Sequence, residues 1–265
     1  MTSAVALIPA RLASTRLPNK VLLAETGTPL VVHACRAAAR AGSVARVAVA
    51  ADHPSIVEAV RAAGFDAVLT SPDHPNGTSR LAEASTLLGL ADEAVVVNVQ
   101  GDEPEIAGSV VDAAIEALLG VPGADCGTVA SPFAPGDSPD EPNIVKAVTT
   151  ASPARPGIAL YFSRAPVPFH RDGRPPAGEG APFLRHVGIY AYRAGFLREY
   201  AGWAETPLER AERLEQLRIL EHGRRIGVAI AEAPHQGIDT PEQYGAFVRR
   251  WRSGGLAGAT GEASG

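Results

Sequence analysis

The chain has 265 residues, 46% of them hydrophobic, and a formal net charge of −5 at pH 7. This length suits one α/β domain, alone or with a sizeable subdomain, and the apolar content is that of a globular protein with a substantial core. The negative charge argues against general nucleic-acid binding, which needs a basic face, but a few local cations are enough to hold a small anionic substrate.

No leader with a charged and then an apolar part opens the chain. No apolar stretch approaches the roughly 20 residues that a membrane span needs, so we expect a cytoplasmic protein without a membrane partner. Cys35 and Cys126 lie in apolar contexts without metal-like spacing and are expected to be buried free thiols. Lys20 and Lys146 are the only lysines beside 22 arginines, and a compact ammonium differs from a guanidinium beside phosphate.

Short β-branched runs alternate with alanine-rich helical stretches over the first 130 residues. This rhythm predicts a mostly parallel sheet with helices on both sides, and such sheets bind ligands beyond the carboxyl ends of their strands. The nearly continuous apolar run AVVVNV suits a central strand covered on both faces. The predicted strands are 5–8, 47–50, 67–69 and 94–99, and the predicted helices are 31–41, 55–63, 80–88 and 109–119.

From Ile144 onward, shorter strands alternate with proline-rich loops. Strands are predicted over IVKAV, IALYFS and HVGIYAY, followed by a helix over 208–221, a strand over 226–230 and a last helix from Pro241. Segment 171–182 has three Pro and three Gly and is expected to be a mobile loop, which leaves open whether it is a lid. The small, polar segment 254–265 predicts a disordered tail.

The first chemical motif, IPARLASTRLPNK, runs from Ile8 to Lys20 and places a loop directly after the first strand. Its cations, hydroxyls and free backbone N–H groups suit a triphosphate. It is not a Walker A loop, because it lacks the glycines and the Gly-Lys-Ser/Thr ending. The alternative is an exposed basic loop. The side chains concerned are Arg11, Ser14, Thr15, Arg16 and Lys20.

Two aspartates are candidate metal ligands. In VNVQGDEP, Asp102 lies at the carboxyl end of the buried strand, and Mg²⁺ prefers one or two carboxylates together with phosphate oxygens. In GIDTPEQ, Asp239 immediately precedes an expected helix start, in which Thr240 is the cap and Pro241 lies in the first turn. A carboxylate at position 239 is expected to face Asp102 across a cleft. The alternative for Asp102 is a residue that only caps a turn.

Two further segments are candidates for an anion-binding pocket. In RHVGIYAY, strand alternation places His186, Gly188, Tyr190 and Tyr192 on one face, near Arg164 at the end of ALYFSR. In LEQLRIL, the leucines have core spacing, so that the intervening Glu215 and Gln216 point elsewhere, either to solvent or to a ligand. The alternative for the strand face is an ordinary core with polar tips.

Several common chemistries find no support in the chain. We find no Ser-His-Asp order, no His/Cys metal cluster and no Gly-x-Gly-x-x-Gly motif. Their absence argues against a serine hydrolase, a zinc enzyme and a dinucleotide-dependent oxidoreductase.

Taken together, the motifs resemble the 3-deoxy-manno-octulosonate (Kdo) cytidylyltransferases, also called CMP-Kdo synthetases. The resemblance runs from about residue 5 to residue 250, with the matching segments in the family's order. It implies an enzyme that moves CMP from CTP onto a small acidic acceptor and releases pyrophosphate, usually as a homodimer with Mg²⁺ as cofactor. The matching segments are IPARLASTRLPNK, ADH, HPNGTSRLAE, VNVQGDEP, PNIVKAV, ALYFSR, RHVGIYAYR, LEQLRILEHG and GIDTPEQ.

The resemblance also implies a fold, an α/β Rossmann-like nucleotide-diphospho-sugar transferase with a mostly parallel central sheet and a smaller mixed subdomain. One domain, 1–253, would comprise a CTP-binding part (1–133), an acceptor and dimerisation part (134–238) and a closing metal-site helix (239–252). The implied metal ligands are Asp102 and Asp239, which are also the implied catalytic residues together with Arg11 and Lys20. The implied CTP contacts are Ala10, Arg11, Ser14, Lys20, Asn76, Gly77, Thr78, Arg80 and Gln100, and the implied acceptor contacts are Arg164, His186, Tyr190, Glu215 and Gln216.

The chain departs from the family at Ser79, because the family usually has Ser-Gly-Thr followed by Asp or Glu where this chain reads Asn-Gly-Thr-Ser. The absence of an acidic side chain at this position affects either the contacts with the base of CTP or only the cap of a helix. The bias to arginine and alanine also resembles high-GC bacteria, in which family relatives cytidylylate phosphonates such as phosphonoformate. Two acceptors therefore stay open, namely Kdo or a similar 2-keto sugar acid, and a phosphonate.

Three rival functions complete the set of alternatives. A sugar-nucleotide pyrophosphorylase would use UTP or GTP with a sugar phosphate. An acylneuraminate cytidylyltransferase is a neighbouring group, but the RHVGIYAYR and LEQLR segments fit the Kdo group better. A non-catalytic nucleotide sensor would not need both Asp102 and Asp239.

Overall fold

The computed structural model describes residues 3–174, 182–234 and 237–254. These residues form the strands β1 (Ala4–Ala10), β2 (Val44–Ala51), β3 (Asp66–Leu69), β4 (Val95–Asn98), β5 (Cys126–Pro132), β6 (Lys146–Thr149), β7 (Gly157–Ser163), β8 (Leu184–Arg193) and β9 (Ile226–Ile230). The helices are α1 (Leu30–Ala38), α2 (Pro54–Ala62), α3 (Gly77–Leu87), α4 (Gly108–Gly120), α5 (Ala194–Ala201), α6 (Pro207–Glu212), α7 (Gln216–Glu221) and α8 (Pro241–Arg252), with a short 3-10 turn at Lys20–Leu22.

The strands form one nine-stranded sheet in the order β3-β2-β1-β4-β8-β5-β9-β7-β6. The half made of β3, β2, β1 and β4 is parallel. The other half is mixed, because β8 runs antiparallel to β4 and β5 whereas β5 and β9 are parallel. This architecture confirms the predicted α/β fold, with a parallel half of four strands and a mixed half of five strands.

In the first 120 residues every predicted strand and helix is present, with bounds that differ by at most three residues. The periodicity of the sequence was sufficient to predict these elements, because each helix buries one apolar face against a buried strand. Two elements were missed, β5 and α5. Strand β5 reads CGTVASP, and its small residues carry little strand propensity. Helix α5 follows β8 without an intervening loop, so no turn signal marks its start.

The single helix predicted over 208–221 is wrong. It is broken into α6 and α7 by Arg213, whose φ of 54° is left-handed and ends α6. The leucine spacing continues through the break and therefore conceals it. A buried ion pair joins the two helices, because Arg218 donates from Nε to Glu209 at 2.7 Å and from Nη2 at 2.5 Å. The turn between them carries Glu215.

Two glycines let helix α4 approach the mixed half of the sheet closely. Gly127 of β5 and Gly227 of β9 are register partners on neighbouring strands. A Cβ at Gly127 would overlap the backbone of Ala114 and Leu118, and one at Gly227 would overlap the carbonyl of Ala117. The helix backbone therefore lies directly on the sheet, which fixes the position of β5 and β9 beneath the site.

The structure tests the predictions for the two cysteines and for a membrane span, but not those for most of the 171–182 loop and the 254–265 tail. Cys35 and Cys126 are free and buried, as predicted, and burial raises the pKa of the Cys35 thiol to about 12. None of the described helices is long and apolar enough to cross a membrane. Residues 175–181 of the expected mobile loop and residues 255–265 of the expected tail lie outside the described residues.

Candidate active site

A cavity of about 320 Å³ lies beyond the carboxyl ends of β1 and β4, and we call it the nucleotide cavity. Every residue predicted to contact CTP or metal lines it, with the exception of Thr78. Its position is the one expected for the ligand of a parallel sheet. The lining residues are Pro9, Ala10, Arg11, Ser14, Thr15, Arg16, Lys20, Val21, His74, Pro75, Asn76, Gly77, Arg80, Gln100, Gly101, Asp102 and Asp239.

A cluster of two carboxylates and two cations lies at one side of this cavity. Lys20 Nζ donates to Asp102 Oδ2 at 2.5 Å and to Asp239 Oδ1 at 2.9 Å. Arg16 Nη2 lies 3.1 Å from the other oxygen of Asp239. Burial alone would raise the pKa of Asp239, but the hydrogen bond and charge of Lys20, together with Arg16, lower it. The Asp239 carboxylate is therefore ionised, and both carboxylates contact the same ammonium group, Lys20 Nζ.

The backbone brings the two aspartates together. Ile238 N donates to the carbonyl oxygen of Asp102 at 2.8 Å, so the segment before α8 is fastened to the end of β4. Thr240 caps α8 in a capping box with Gln243, as the sequence predicted. Helix α8 then buries an apolar face against the loop that carries Lys20. The residues of this contact are Leu17, Leu30, Ile238, Tyr244, Phe247 and Val248.

Asp52, which was not assigned a role in advance, supports two parts of the nucleotide cavity. Its Oδ1 accepts from Leu12 N at 2.9 Å, which holds the loop after β1. Its Oδ2 lies 3.9 Å from Arg80 Nη2. Arg80 is buried, and it donates from Nη1 to Thr70 Oγ1 at 2.8 Å. This cavity wall is therefore built from the ends of β2 and β3 and from α3.

Asn76 and Ser79 form the start of helix α3. Asn76 Oδ1 accepts from Ser79 N at 2.9 Å, which makes Asn76 the N-cap. Ser79 Oγ donates to the Asn76 carbonyl at 3.1 Å and lies 3.2 Å from His74 Nδ1. Ser79 is not among the residues that line the nucleotide cavity. These contacts favour the second of the two alternatives, in which the departure from the family concerns the helix start.

We expect Ser79→Ala to change kcat and KM for CTP by less than about threefold, since the hydroxyl contributes one hydrogen bond to the helix start, worth about 1 kcal/mol of stability. Steady-state kinetics and a thermal melt check this. A large rise in KM for CTP with an unchanged melting temperature would instead place Ser79 at the base.

A second cavity, also of about 320 Å³, adjoins the first, and we call it the acceptor cavity. Gly77 and Gln100 line both cavities. A group bound in one is therefore next to a group bound in the other. The lining residues are Gly77, Thr78, Asn98, Gln100, His186, Gly188, Tyr190, Tyr192, Tyr200, Arg213, Leu214, Glu215 and Gln216.

The strand face predicted from alternation borders this cavity. His186, Gly188, Tyr190 and Tyr192 all line it, although β8 has a register shift opposite Thr128. Thr128 Oγ1 lies 2.7 Å from the Ile189 carbonyl, to which it donates, and 3.1 Å from His186 Nε2. Because the hydroxyl has one proton, the ring donates from Nε2 and leaves Nδ1 as an acceptor. Burial lowers the pKa of His186 to about 4, so the ring is neutral at neutral pH.

The lowered pKa of His186 predicts a loss of stability in acid. Between pH 6.5 and 4 the unfolded chain binds more protons at this ring than the folded chain, so the free energy of unfolding falls as pH falls. We expect the part that depends on His186 to be about 2 kcal/mol between pH 7 and pH 5. Urea titrations at both pH values, for the wild type and His186→Gln, check this; an equal decrease in both would contradict it.

Glu215 and Gln216 face the acceptor cavity rather than solvent. Thr78 Oγ1 donates to Glu215 Oε2 at 3.0 Å, and Tyr200 donates to the Glu215 carbonyl at 2.8 Å. Burial raises the pKa of Glu215. Gln216 is 5% exposed, and its Nε2 has no hydrogen-bond partner among the described residues. A buried amide without a partner costs free energy unless a ligand satisfies it.

Arg164 is the one predicted acceptor residue that does not line this cavity. Its guanidinium donates to three carbonyl oxygens, those of Glu212 at 2.6 Å, Pro142 at 2.9 Å and Arg213 at 3.4 Å. Its side chain therefore supports the turn between α6 and α7.

Several cavity residues escaped sequence reasoning. Asn98 points inward from β4, and its polarity in an otherwise apolar strand was an available signal. Tyr200 lies on the missed helix α5. Thr128 contacts His186 without lining the cavity itself, and it lies on the missed strand β5. Arg213 was predicted to lie inside a single helix over 208–221, whereas in the structure it ends α6. No local pattern marks these last three residues.

Comparison with known proteins agrees with this geometry. A family model described as cytidylyltransferase matches residues 5–226. A CMP:2-keto-3-deoxy-manno-octonic acid synthetase solved in complex with CTP is 36% identical, with a TM-score of 0.83 over 96% of this chain and 99% of that one.

More distant solved structures share the fold. A 4-diphosphocytidyl-2C-methyl-D-erythritol synthase has a TM-score of 0.60 at 13% identity, over 94% of this chain and 98% of that one. A cytidylyltransferase from Leptospira borgpetersenii has a TM-score of 0.56 at 15% identity, over 94% of this chain and 85% of that one. At such identities the likeness concerns the fold alone.

Proposed function

The chain belongs to the cytidylyltransferase family, and we propose that it transfers CMP from CTP to a 2-keto-3-deoxy sugar acid of the Kdo type, releasing pyrophosphate. The observation that carries this proposal is the pair of adjoining cavities. One is rich in cations and holds two carboxylates, as a nucleotide triphosphate with a metal requires. The other shares Gly77 and Gln100 with it and offers mostly neutral hydrogen-bonding groups.

The polarity of the acceptor cavity favours a sugar acid over a phosphonate. Glu215, Gln216 and the neutral His186 provide acceptors and donors that suit several hydroxyl groups. A small, densely charged anion such as phosphonoformate has no such hydroxyls, and it brings more negative charge near the Glu215 carboxylate than the single carboxylate of a sugar acid does. The cavity volume of about 320 Å³ also exceeds what so small an anion fills.

In the proposed step, a hydroxyl oxygen of the acceptor attacks the α-phosphorus of CTP. The new bond joins that oxygen to phosphorus, the bond from the α-phosphorus to the bridging oxygen breaks, pyrophosphate leaves, and the hydroxyl proton passes to water. Arg11, Arg16 and Lys20 surround the expected triphosphate position and would stabilise charge on the pyrophosphate. The shared wall would hold the two substrates in contact, which lowers the entropic cost of reaction.

Asp102 and Asp239 are the residues that would hold Mg²⁺. Both carboxylates already converge on one cation, Lys20 Nζ, so their charge and spacing fit a second cation that also binds phosphate. Among the described residues no group of three or more His, Cys, Asp or Glu side chains forms a metal site, so phosphate and water oxygens would complete the shell. When bound, the ion would neutralise phosphate charge and lower the pKa of the acceptor hydroxyl.

We also propose a homodimer formed through the mixed half. Leu160 of β7 is 54% exposed and Phe169, in the loop after it, is 85% exposed, so this half presents two large apolar side chains to solvent. Light scattering of the purified chain tests this, and a monomeric mass at micromolar concentration would contradict it.

The proposed function is tested by pyrophosphate release in the presence of Mg²⁺. Each of the four nucleoside triphosphates is offered with Kdo, and CTP is then offered with Kdo, phosphonoformate or N-acetylneuraminate at equal concentrations. We expect turnover with CTP and Kdo. Use of UTP or GTP would make the chain a different pyrophosphorylase, and turnover with phosphonoformate alone would overturn the proposed acceptor. Absence of turnover with every pair would favour a sensor.

A further inference from the structure

The acceptor cavity has a single cationic group among the described residues that line it. His186 is neutral, Glu215 is an acid, and the remaining lining residues apart from Arg213 carry no charge. A carboxylate entering this cavity needs a counterion, because an unpaired buried charge is costly. Arg164, to which the resemblance gives that role, does not line the cavity.

Arg213 is free to act as that counterion. Its side chain is exposed, and it makes no salt bridge or side-chain hydrogen bond within the described part of the chain. Arg218, in the next helix, is by contrast fully engaged with Glu209. A guanidinium without a protein partner at the wall of a cavity can form two parallel hydrogen bonds with a carboxylate.

The turn that carries Arg213 is held by its surroundings. Its φ of 54° is uncommon for a residue with a side chain, and its N–H donates to the Glu209 carbonyl. Arg164 donates to the carbonyl of Arg213 and to that of Glu212. The Glu212 carboxylate in turn accepts from Ser163 Oγ at 2.6 Å and from Arg164 N at 2.9 Å. The end of β7 thus fixes the backbone of this turn.

We infer that Arg213 binds the carboxylate of the acceptor, and that Arg164 is a positioning residue that acts through Arg213. This inference rests on the proposed function, since only an acidic acceptor brings a carboxylate into the cavity. It assigns recognition of the acid to the turn between α6 and α7, whereas the strand face of β8 contacts the uncharged part of the acceptor.

The test replaces Arg213 by residues that tolerate a left-handed backbone. Arg213→Gly and Arg213→Asn remove the guanidinium without strain. Arg210→Ala is the control, because this neighbouring arginine does not line the acceptor cavity and its side chain donates to the Glu205 carbonyl. We expect KM for Kdo to rise at least about tenfold in both variants, the loss of one charge-assisted hydrogen bond. KM for CTP should stay within about threefold of wild type, and Arg210→Ala should leave both constants unchanged.

A double-mutant cycle separates the two arginines. If Arg164 acts through Arg213, Arg164→Gln raises KM for Kdo in the wild-type background and adds little in Arg213→Gly. If Arg164 itself binds the acid, the two effects multiply and the inference is wrong. A KM for Kdo unchanged in folded Arg213→Gly, as judged by its melting temperature, also overturns it.

The experiment also distinguishes an error in the proposed acceptor from an error in the role of Arg213. If the wild-type enzyme uses phosphonoformate or N-acetylneuraminate instead of Kdo, the proposed acceptor is wrong, and the same variants measured with that acid decide the role of Arg213. If the wild-type enzyme uses only an acceptor without an acidic group, both the proposed acceptor and the inference are wrong.

Discussion

Replacing Asp102 by Asn is expected to lower cytidylyl transfer by about a thousandfold or more while leaving the fold intact. The substitution keeps the size of the side chain but removes the charge that faces Lys20 at 2.5 Å and lies beside Asp239. With one carboxylate left, neither the lysine nor a divalent cation is held as before. Pyrophosphate release with CTP and the identified acceptor measures the loss, and a thermal melt reports the fold.

Two control variants make the Asp102 experiment specific. Asp66→Asn makes the same chemical change at a half-exposed carboxylate, whose one salt bridge within the described residues is with Arg46, and we expect an unchanged rate. Asp239→Asn should resemble Asp102→Asn, since both carboxylates contact the same lysine. A rate within tenfold of wild type in folded Asp102→Asn would contradict the assignment of the metal site.

Gly227→Ala is expected to destabilise the protein by about 3 kcal/mol or more, and it could prevent folding. The added Cβ would overlap the carbonyl oxygen of Ala117, an atom of the α4 backbone that cannot move alone. Relief requires α4 to shift away from β9, and α4 also lies on Gly127 of the neighbouring strand. Urea denaturation measures the change in the free energy of unfolding.

The same substitution at Gly245 is the matched control. Gly245 lies inside α8, where an added Cβ would meet only the end of the flexible Arg249 side chain at 3.4 Å. Gly245→Ala should therefore stabilise the protein by about 0.5 to 1 kcal/mol, because alanine restricts the unfolded chain and favours the helix. If both variants lost the same stability, the close contact between α4 and the sheet would not explain the result at Gly227.

The periodicity of the sequence predicted the parallel half of the fold well. Strands β1 to β4 and helices α1 to α4 each repeat a local pattern, and a buried strand flanked by amphipathic helices allows few arrangements. The cap of α8 was equally local, since Thr240 and Gln243 form the capping box that their spacing indicated. The mixed half was harder, because β5 has few residues of high strand propensity and pairs with strands distant along the chain.

The sequence by itself determined which chemistry the chain could offer: cations after β1, a carboxylate at the end of β4, and polar rings on β8. Those depend on residue type and on short-range spacing. Only the tertiary structure decided which of them meet. The bond from Ile238 to Asp102 brings the two aspartates together, and the left-handed Arg213 places a cation at the acceptor cavity while Arg164 is used for support. Contacts between segments far apart in the chain depend on how helices and strands pack, and local spacing does not contain that information.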